Sequence, residues 1–497
     1  MTNPFPFLAR LRQSLAGLAA LTCLAAAPAC AQPENPAMLI PADAARADVT
    51  ALYEGLVAAE ADLFQATPRA VFEARYHELM ARLDQPVSLA ELHAKLQRFA
   101  ALARHAHTRI NRLNPVWAAH AEADGPVFPL AFFVAEGEVI ISAAPAGSGL
   151  AAGDRILALE GEPNPVWLAR LTRNISAETP EFAYALLANA EFYYVLLEYG
   201  PRDRFTLDIM QDGQRRTVTL EAIALSQLDT LTGSAPGFTL AGREARLLDG
   251  NIAYLRPGAF YNLDATDETE AYDAEALAAY TGFIDTSFED FIAAGATDLV
   301  LDLRDNPGGD NSWSDPVIAW FADRPFRFAS DFLIRVSAHT TASNAARLEA
   351  QGHDPASASA RFADLFASAQ PGELVSFDLP YAQPRSGARF DGAVHVLVNR
   401  YSYSNAVSAG ALIQDYGFGT VYGEPTSDMA TTYGAMEHFT LEHSGFTVGY
   451  PKAMIIRPNG ERAPHPLEPD VRLPVPAVRG AQDVMLEALL ERLRRPD

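Results

Sequence analysis

The feature that most constrains this chain is Val394-His-Val-Leu-Val398, which passes through a polar turn, Asn399 to Ser404, into the small-residue stretch Ala406 to Asp415. The short apolar run fits a buried strand, and the stretch after the turn reads as a helix. A strand that turns directly into a helix puts the turn at the edge of a sheet. Backbone N–H groups at the helix start then have no helical partner. A serine there has an exposed hydroxyl beside donors suited to an oxyanion. The turn offers two, Ser402 and Ser404. Serine also caps helices, so the stretch alone fits a purely structural role.

A second stretch has the same character. Asp298-Leu-Val-Leu-Asp-Leu303 is a near-continuous apolar strand of the kind buried between helices. It runs into Arg304-Asp-Asn306-Pro-Gly308-Gly309. Paired glycines let backbone N–H groups approach a ligand closely, although a tight strand exit needs nothing more.

Around these stretches the pattern changes along the chain. Residues 32–115 read as helical, with apolar positions at helical spacing over 47–64, 69–83 and 89–104. The last helix leads into His105-Ala-His107-Thr-Arg-Ile110, where alternation begins as at the start of a strand. Residues 126–223 carry short strands, and Asp212-Gly213 between two of them signals a hairpin. Pro180 to Tyr199 reads as a helical insertion. A Gly/Pro/Ser-bearing connection covers 224–245. Strand and helix then alternate over 246–475, with helices expected at 273–294 and 315–322 and a helical excursion over 340–372. Lys452 reads as part of a strand-end turn, and residues 476–497 hold a C-terminal amphipathic helix.

Net charge is 38 − 62 = −24, which argues against nucleic acid or an anionic membrane as partner, since both need a basic face. Residues 1–31 read as a signal peptide: Arg10 and Arg12, an apolar stretch from Leu15 to Ala27, and Ala29-Cys-Ala31 as cleavage site. Lipidation of Cys30 is the alternative. Both cysteines, Cys23 and Cys30, fall in this segment, so the mature chain is expected to lack a disulfide, a thiol nucleophile and a cysteine metal site. It is also expected to lack a transmembrane segment and to be periplasmic or secreted. Only Lys95 and Lys452 are lysines, and neither follows a glycine, so there is no P-loop.

Taken together, Asp302 to Gly309, Val396 to Ser404, Ala409 to Gly417, Gly423 to Thr426 and Glu468 to Val471 resemble the core of the S41 peptidase family. Gly153 to Gly161 resembles the signature run of a PDZ-like module. The resemblance implies an α/β multidomain chain: an N-terminal helical segment (32–115), a PDZ-like β domain (126–223) and a βα-layered, ClpP/crotonase-like catalytic core (246–475). It implies a serine-type peptidase acting on peptides or proteins without a cofactor, with Ser404 as nucleophile and Ser402 as its rival. Asn405 and one of Gly308 and Gly309 would hold the oxyanion. The processing-protease branch takes its base from a lysine in T-F-G-K-G, but here that stretch is Thr426-Ser-Asp-Met429-Ala, so a Ser–Lys dyad is not expected. The tricorn branch uses a histidine from D-G-H-T, which falls on His107. There Glu461 is the nearest candidate for the acid that orients the histidine. His105 and His107 also allow a metal site, although no third ligand has sequence support. Leu130 and Phe132 mark the expected peptide-binding edge of the PDZ-like module. An inactive S41-like protein that binds peptides or apolar ligands is the alternative function, since fold does not fix function.

Overall fold

The computed structural model describes residues 38–112, 114–232, 242–249, 251–265, 271, 273–350, 352–476, 478–480 and 482–494. The expected signal peptide, both cysteines and much of the 224–245 connection lie outside these residues.

Three N-terminal helices form, α1 (Ala42–Ala59), α2 (Arg69–Ala81) and α3 (Leu89–Ala100); α1 starts and ends five residues before the span that the spacing predicts, and α3 ends four residues early. Ser88 caps α3 by accepting from the Glu91 N–H at 3.2 Å. A short strand, β1 (Arg109–Ile110), follows the histidine pair.

The next unit is an antiparallel sheet built from β2 (Ala131–Ala135), β3 (Glu138–Ala143) and β4 (Arg155–Leu159). Helices α4 (Pro180–Ala188) and α5 (Glu191–Tyr199) form the expected insertion. Strands β5 (Arg204–Gln211) and β6 (Gln214–Glu221) close the unit as a hairpin. Asp212 and Gly213 both have positive φ, as a tight hairpin turn requires. The strand order is β6-β5-β4-β3-β2, which leaves β2 at an edge.

The remainder contains two sheets. The first uses β7 (Glu244–Leu248), β8 (Ile252–Arg256) and, after α6 (Ala274–Ala293), β9 (Asp298–Asp302). Helix α7 (Asn311–Ile318) starts four residues earlier than the sequence suggests. Asp310 supplies the cap, accepting from the Ser312 N–H at 2.8 Å, and Pro316 is carried inside the helix. A second sheet begins with β10 (Asp331–Arg335) and β11 (Leu374–Ser376), and the excursion between them is helical as expected. The first sheet resumes with β12 (Ala393–Val398), followed by α8 (Asn405–Tyr416) and β13 (Thr420–Gly423). A long hairpin, β14 (Thr432–Thr440) with β15 (Thr447–Ile456), belongs to the second sheet. Lys452 therefore lies inside a strand, and not in a turn. The chain ends with β16 (Val471–Arg472) and α9 (Val484–Leu493).

The first sheet runs β7-β8-β9-β12-β13-β16 and is parallel except at β7. Alternate residues of its strands bury opposite faces. Leu299, Leu301, Val396 and Val398 pack with Ile284, Phe288, Leu412 and Ile413. Val300 and Leu397 pack with Leu486 and Leu489 of α9. The hairpin joins the N-terminal helices to this body, because Phe439, Val448 and Tyr450 share a core with Leu52, Leu56 and Leu96. β1 pairs with β15 through Ile110 and Val448, which carries the histidine pair toward the first sheet's C-terminal edge.

Candidate active site

β9 and β12 are adjacent parallel strands, so the turns that leave their C-terminal ends meet. Clefts at such ends are where ligands bind in open α/β sheets. Four hydrogen bonds lock the turns together. Tyr403 N–H donates to the Asn306 carbonyl at 3.0 Å, and Asp305 N–H to Asn399 Oδ1 at 3.1 Å. Asn399 Nδ2 donates to Asp305 Oδ1 at 2.8 Å, and the Ser402 hydroxyl to the Leu303 carbonyl at 2.8 Å.

These bonds separate the two serines. Ser402 is buried, and its oxygen also accepts from the Asn399 N–H at 3.1 Å. Its hydroxyl is a brace of the turn. Ser404 is half-buried and holds φ 52° and ψ −123° at the start of α8. A non-glycine residue in that region costs about 1–3 kcal/mol and persists only where its surroundings enforce it. A strained strand-to-helix turn is also how hydrolases lift a nucleophilic serine above a sheet. The Ser404 side chain makes no capping hydrogen bond, so the ordinary reason for a serine at this position is absent.

Gly308 faces Ser404. A Cβ built on it would lie 2.6 Å from the Tyr403 carbonyl oxygen, 2.8 Å from the Asn405 nitrogen and 2.8 Å from Ser404 Cβ. The Gly308 N–H is taken by Asn306 Oδ1 at 2.9 Å. Among the described residues, neither Asn405 nor Gly309 has a partner for its backbone N–H. Of the three oxyanion candidates, these two keep their donors.

His107 is buried in a turn and stacks on the Tyr403 ring, with centroids 5.2 Å apart and planes at 21°. Gly434 borders the ring from β14. Among the described residues neither ring nitrogen of His107 has a hydrogen-bond partner of full geometry, although the Tyr433 backbone lies near enough to favour the charged ring. Burial, then the nearby Arg109 charge, pushes its pKa down to about 3. His105 has a different environment. Its Nδ1 is 2.5 Å from Glu60 Oε1, and Glu60 Oε2 accepts the Thr108 hydroxyl at 3.0 Å. Burial opposes the charge on His105, but the bond to Glu60 and that residue's charge outweigh it and raise the pKa. The two histidines thus do not act as a pair. Among the described residues no group of three or more His, Cys, Asp or Glu side chains is placed to hold a metal ion.

Two expectations from the sequence do not hold. The Glu461 side chain is exposed, 3.8 Å from Arg457, and has no contact with His107. The strand β15 and its exit at Arg457 carry it to the surface. Leu130 and Phe132 are buried in the core of the small β unit, where Phe132 packs edge-on to Trp167 at 5.4 Å. Their side chains support the edge from within and do not face a ligand. Next to that edge is a groove of about 610 Å³, lined by Phe133 and Ala135 on one side and Arg400, Tyr401 and Arg479 on the other.

Besides Glu60, sequence reasoning missed two acids at the site. Asp428 is completely buried and accepts the Ser404 N–H at 2.5 Å on one oxygen and the Met429 N–H at 2.7 Å on the other. Glu178, just before α4, accepts the Ala106 N–H at 3.3 Å. Asp428 sits one residue before the missing lysine, which was a signal that could have been read. Nothing in the sequence marks Glu178. Lys452 is bound to Glu437 at 2.6 Å, and Arg347 holds the same carboxylate.

A family model described as peptidase family S41 matches residues 251–473, which include both turns and Asp428. No curated protein sequence matches the chain. Among solved structures, a mutant of CPAF is similar with a TM-score of 0.62 at 14% identity, over 91% of this chain and 96% of that one. Mature CPAF complexed with lactacystin gives 0.59 at 16% identity, over 91% of this chain and 97% of that one. Such identities speak for a shared fold. Residues 251–473, which build the strands and turns of this site, thus match the core of peptidase family S41.

Proposed function

We propose that the chain is an exported serine peptidase of the tricorn-like kind. Ser404 attacks a peptide carbonyl, His107 takes its proton, and the Asn405 and Gly309 N–H groups hold the oxyanion. Water then hydrolyses the acyl-enzyme. The observation that carries this reading is the strained, uncapped Ser404 packed on Gly308 beside unpartnered donors. Oxyanion donors of this kind are worth roughly 3–4 kcal/mol each. Ser402 is engaged with the Leu303 carbonyl, and Lys452 with Glu437, which supports assigning neither to the chemistry.

The small β unit supplies a PDZ-like edge. An extended peptide adds to β2 in the adjoining groove through main-chain hydrogen bonds. Export rests on the N-terminal signal pattern and places the enzyme in the periplasm or outside the cell.

One observation favours the second reading, an inert S41 scaffold that binds peptides or apolar ligands. Among the described residues no acid is hydrogen-bonded to a ring nitrogen of His107. A fluorophosphonate probe separates the two. Stoichiometric labelling that Ser404→Ala abolishes supports the peptidase. A folded wild-type chain that never labels establishes the inert scaffold.

A further inference from the structure

The proposed mechanism leaves two carboxyl groups unused, Asp428 buried and Glu178 half-buried. Each accepts a backbone N–H from one half of the proposed machinery, and each comes from a different part of the chain. Asp428, after β13, holds the N–H of Ser404 itself. Glu178, in the loop before α4 of the small β unit, holds the N–H of Ala106, the neighbour of His107. The Asp428 loop is itself anchored. Thr426 donates its hydroxyl to the Asp428 carbonyl at 2.7 Å and accepts the Leu467 N–H at 2.9 Å.

We infer that Asp428 and Glu178 are positioning residues that brace the serine turn against the histidine segment, and that the brace holds only while the pair keeps at least one proton. This rests on the assignment of Ser404 as nucleophile. In the brace, Asp428 enforces the strained Ser404 backbone, and Glu178 fixes the segment carrying His107. Phe182, four residues beyond Glu178, packs on Tyr403 at 5.7 Å and completes the bridge on the same side.

The electrostatics agree in direction. Burial, then the like charge of Glu178, pushes Asp428 up to about 8. Burial pushes Glu178 up to about 7, with Glu60 adding to the rise and His105 opposing it. The other ionisable groups facing the pair are Tyr403, which feels both acids, and Tyr433, which feels Glu178. As pH rises past this range, the second carboxyl ionises beside the first. The buried Asp428 carboxylate and the half-buried Glu178 carboxylate then repel one another across the joint between the serine turn and the histidine segment.

The test is the rate of fluorophosphonate labelling of the full chain from pH 5 to 10, for wild type, Glu178→Gln and Asp428→Asn, with a thermal melt at each pH. The wild-type rate is expected to fall on the alkaline side while the fold stays intact. In Glu178→Gln that fall should flatten, with labelling at pH 6 within about threefold of wild type. Asp428→Asn should also lose the alkaline fall. It should label at least about tenfold more slowly at every pH, because one amide oxygen cannot accept both N–H groups and small displacements at a nucleophile are costly. Should Asp428→Asn not fold, the Glu178→Gln profile decides alone. An alkaline limb that is absent in wild type, coincides with unfolding or is unchanged in Glu178→Gln overturns the inference. If wild type labels and Ser404→Ala does not, that failure leaves the nucleophile assignment standing. If labelling survives in Ser404→Ala, the nucleophile assignment itself has failed.

Discussion

Replacing Gly308 with alanine tests the geometry on which the proposed catalysis depends. Gly308 has φ +85°, a left-handed conformation that costs an alanine roughly 1–2 kcal/mol. The new methyl would also meet three atoms at 2.6–2.8 Å: the Tyr403 carbonyl oxygen, the Asn405 nitrogen and Ser404 Cβ. Two of these are backbone and the third is fixed by it, so no side chain can rotate away. Overpacking of this kind adds about 1–3 kcal/mol, for a total destabilisation of about 2–5 kcal/mol. The neighbours must retreat by roughly half an ångström or more, and those neighbours are the nucleophile and an oxyanion donor. A loss of about 10²–10³ in labelling rate is expected, the size seen when an oxyanion donor is removed. Gly213→Ala is the control, since Gly213 has φ +76° with nothing within 4 Å of the added Cβ. It should cost the strain alone and leave labelling unchanged. Urea unfolding gives the stabilities, and the fluorophosphonate rate gives the function. A folded Gly308→Ala chain that labels within threefold of wild type refutes the reasoning.

Ser404→Ala should abolish labelling and change stability by no more than about 1 kcal/mol, whereas Ser402→Ala should keep labelling and lose about 1–3 kcal/mol through its two buried hydrogen bonds. His107→Ala should lower peptide turnover by roughly two to four orders of magnitude with little change in KM. In the wild type the acid limb of that turnover should lie well below pH 6.5, because the buried ring stays neutral until far more acid solution. Lys452→Ala should keep turnover within tenfold and destabilise the fold by less than the ~3–5 kcal/mol of a fully orphaned charge, since Arg347 still binds Glu437. Glu191 is buried in the small β unit and its pKa is pushed up to about 8 from 4.5 by burial. The folded chain keeps this proton where the unfolded chain has lost it, so stability falls as pH rises between those values, and Glu191→Gln should flatten that slope in urea midpoints measured from pH 5 to 9.

Local pattern made much of this fold legible. Leu299 to Leu301 and Val394 to Val398 are strands because both their faces are buried, and that writes a continuous apolar run into the sequence. The Asp212-Gly213 turn and the helix after Ser404 were readable because single residues dictate their geometry. The hairpin of Thr432–Thr440 and Thr447–Ile456 was not, although it is the longest in the core. Its strands bury Glu437, His438 and Lys452, and no apolar alternation survives that. Glu437 is tolerable only because Lys452 and Arg347 reach it, and Arg347 comes from a helix some ninety residues away. Such a strand is specified by partners that a local window does not contain.

The same limit explains what was visible at the site. Ser404, Gly308 and Asn405 stand in motifs because a strand-to-turn connection fixes each of them locally. Glu461 was chosen by position along the chain, and the exit of Thr447–Ile456 sends it to the surface. Glu60, Glu178 and Asp428 reach the site from a helix end, the loop before Pro180–Ala188 and the loop after Thr420–Gly423, respectively. Each accepts from a histidine ring or a backbone N–H, so the partner's residue type carries no trace of the acid. What the sequence can reveal is the missing lysine. Met429 removes the base of a Ser–Lys dyad, and a buried acid stands one residue earlier, against the serine's own N–H. A lysine at 429 would place a cation beside that carboxyl, hold Asp428 ionised and cancel the repulsion on which the brace depends. Met429→Lys should therefore remove the alkaline fall in labelling without restoring dyad chemistry to a His107→Ala background. Recovery of turnover in that double variant, measured with peptide at saturating concentration, would mean that the serine turn is still shaped for a lysine base and that the tricorn-like assignment is wrong.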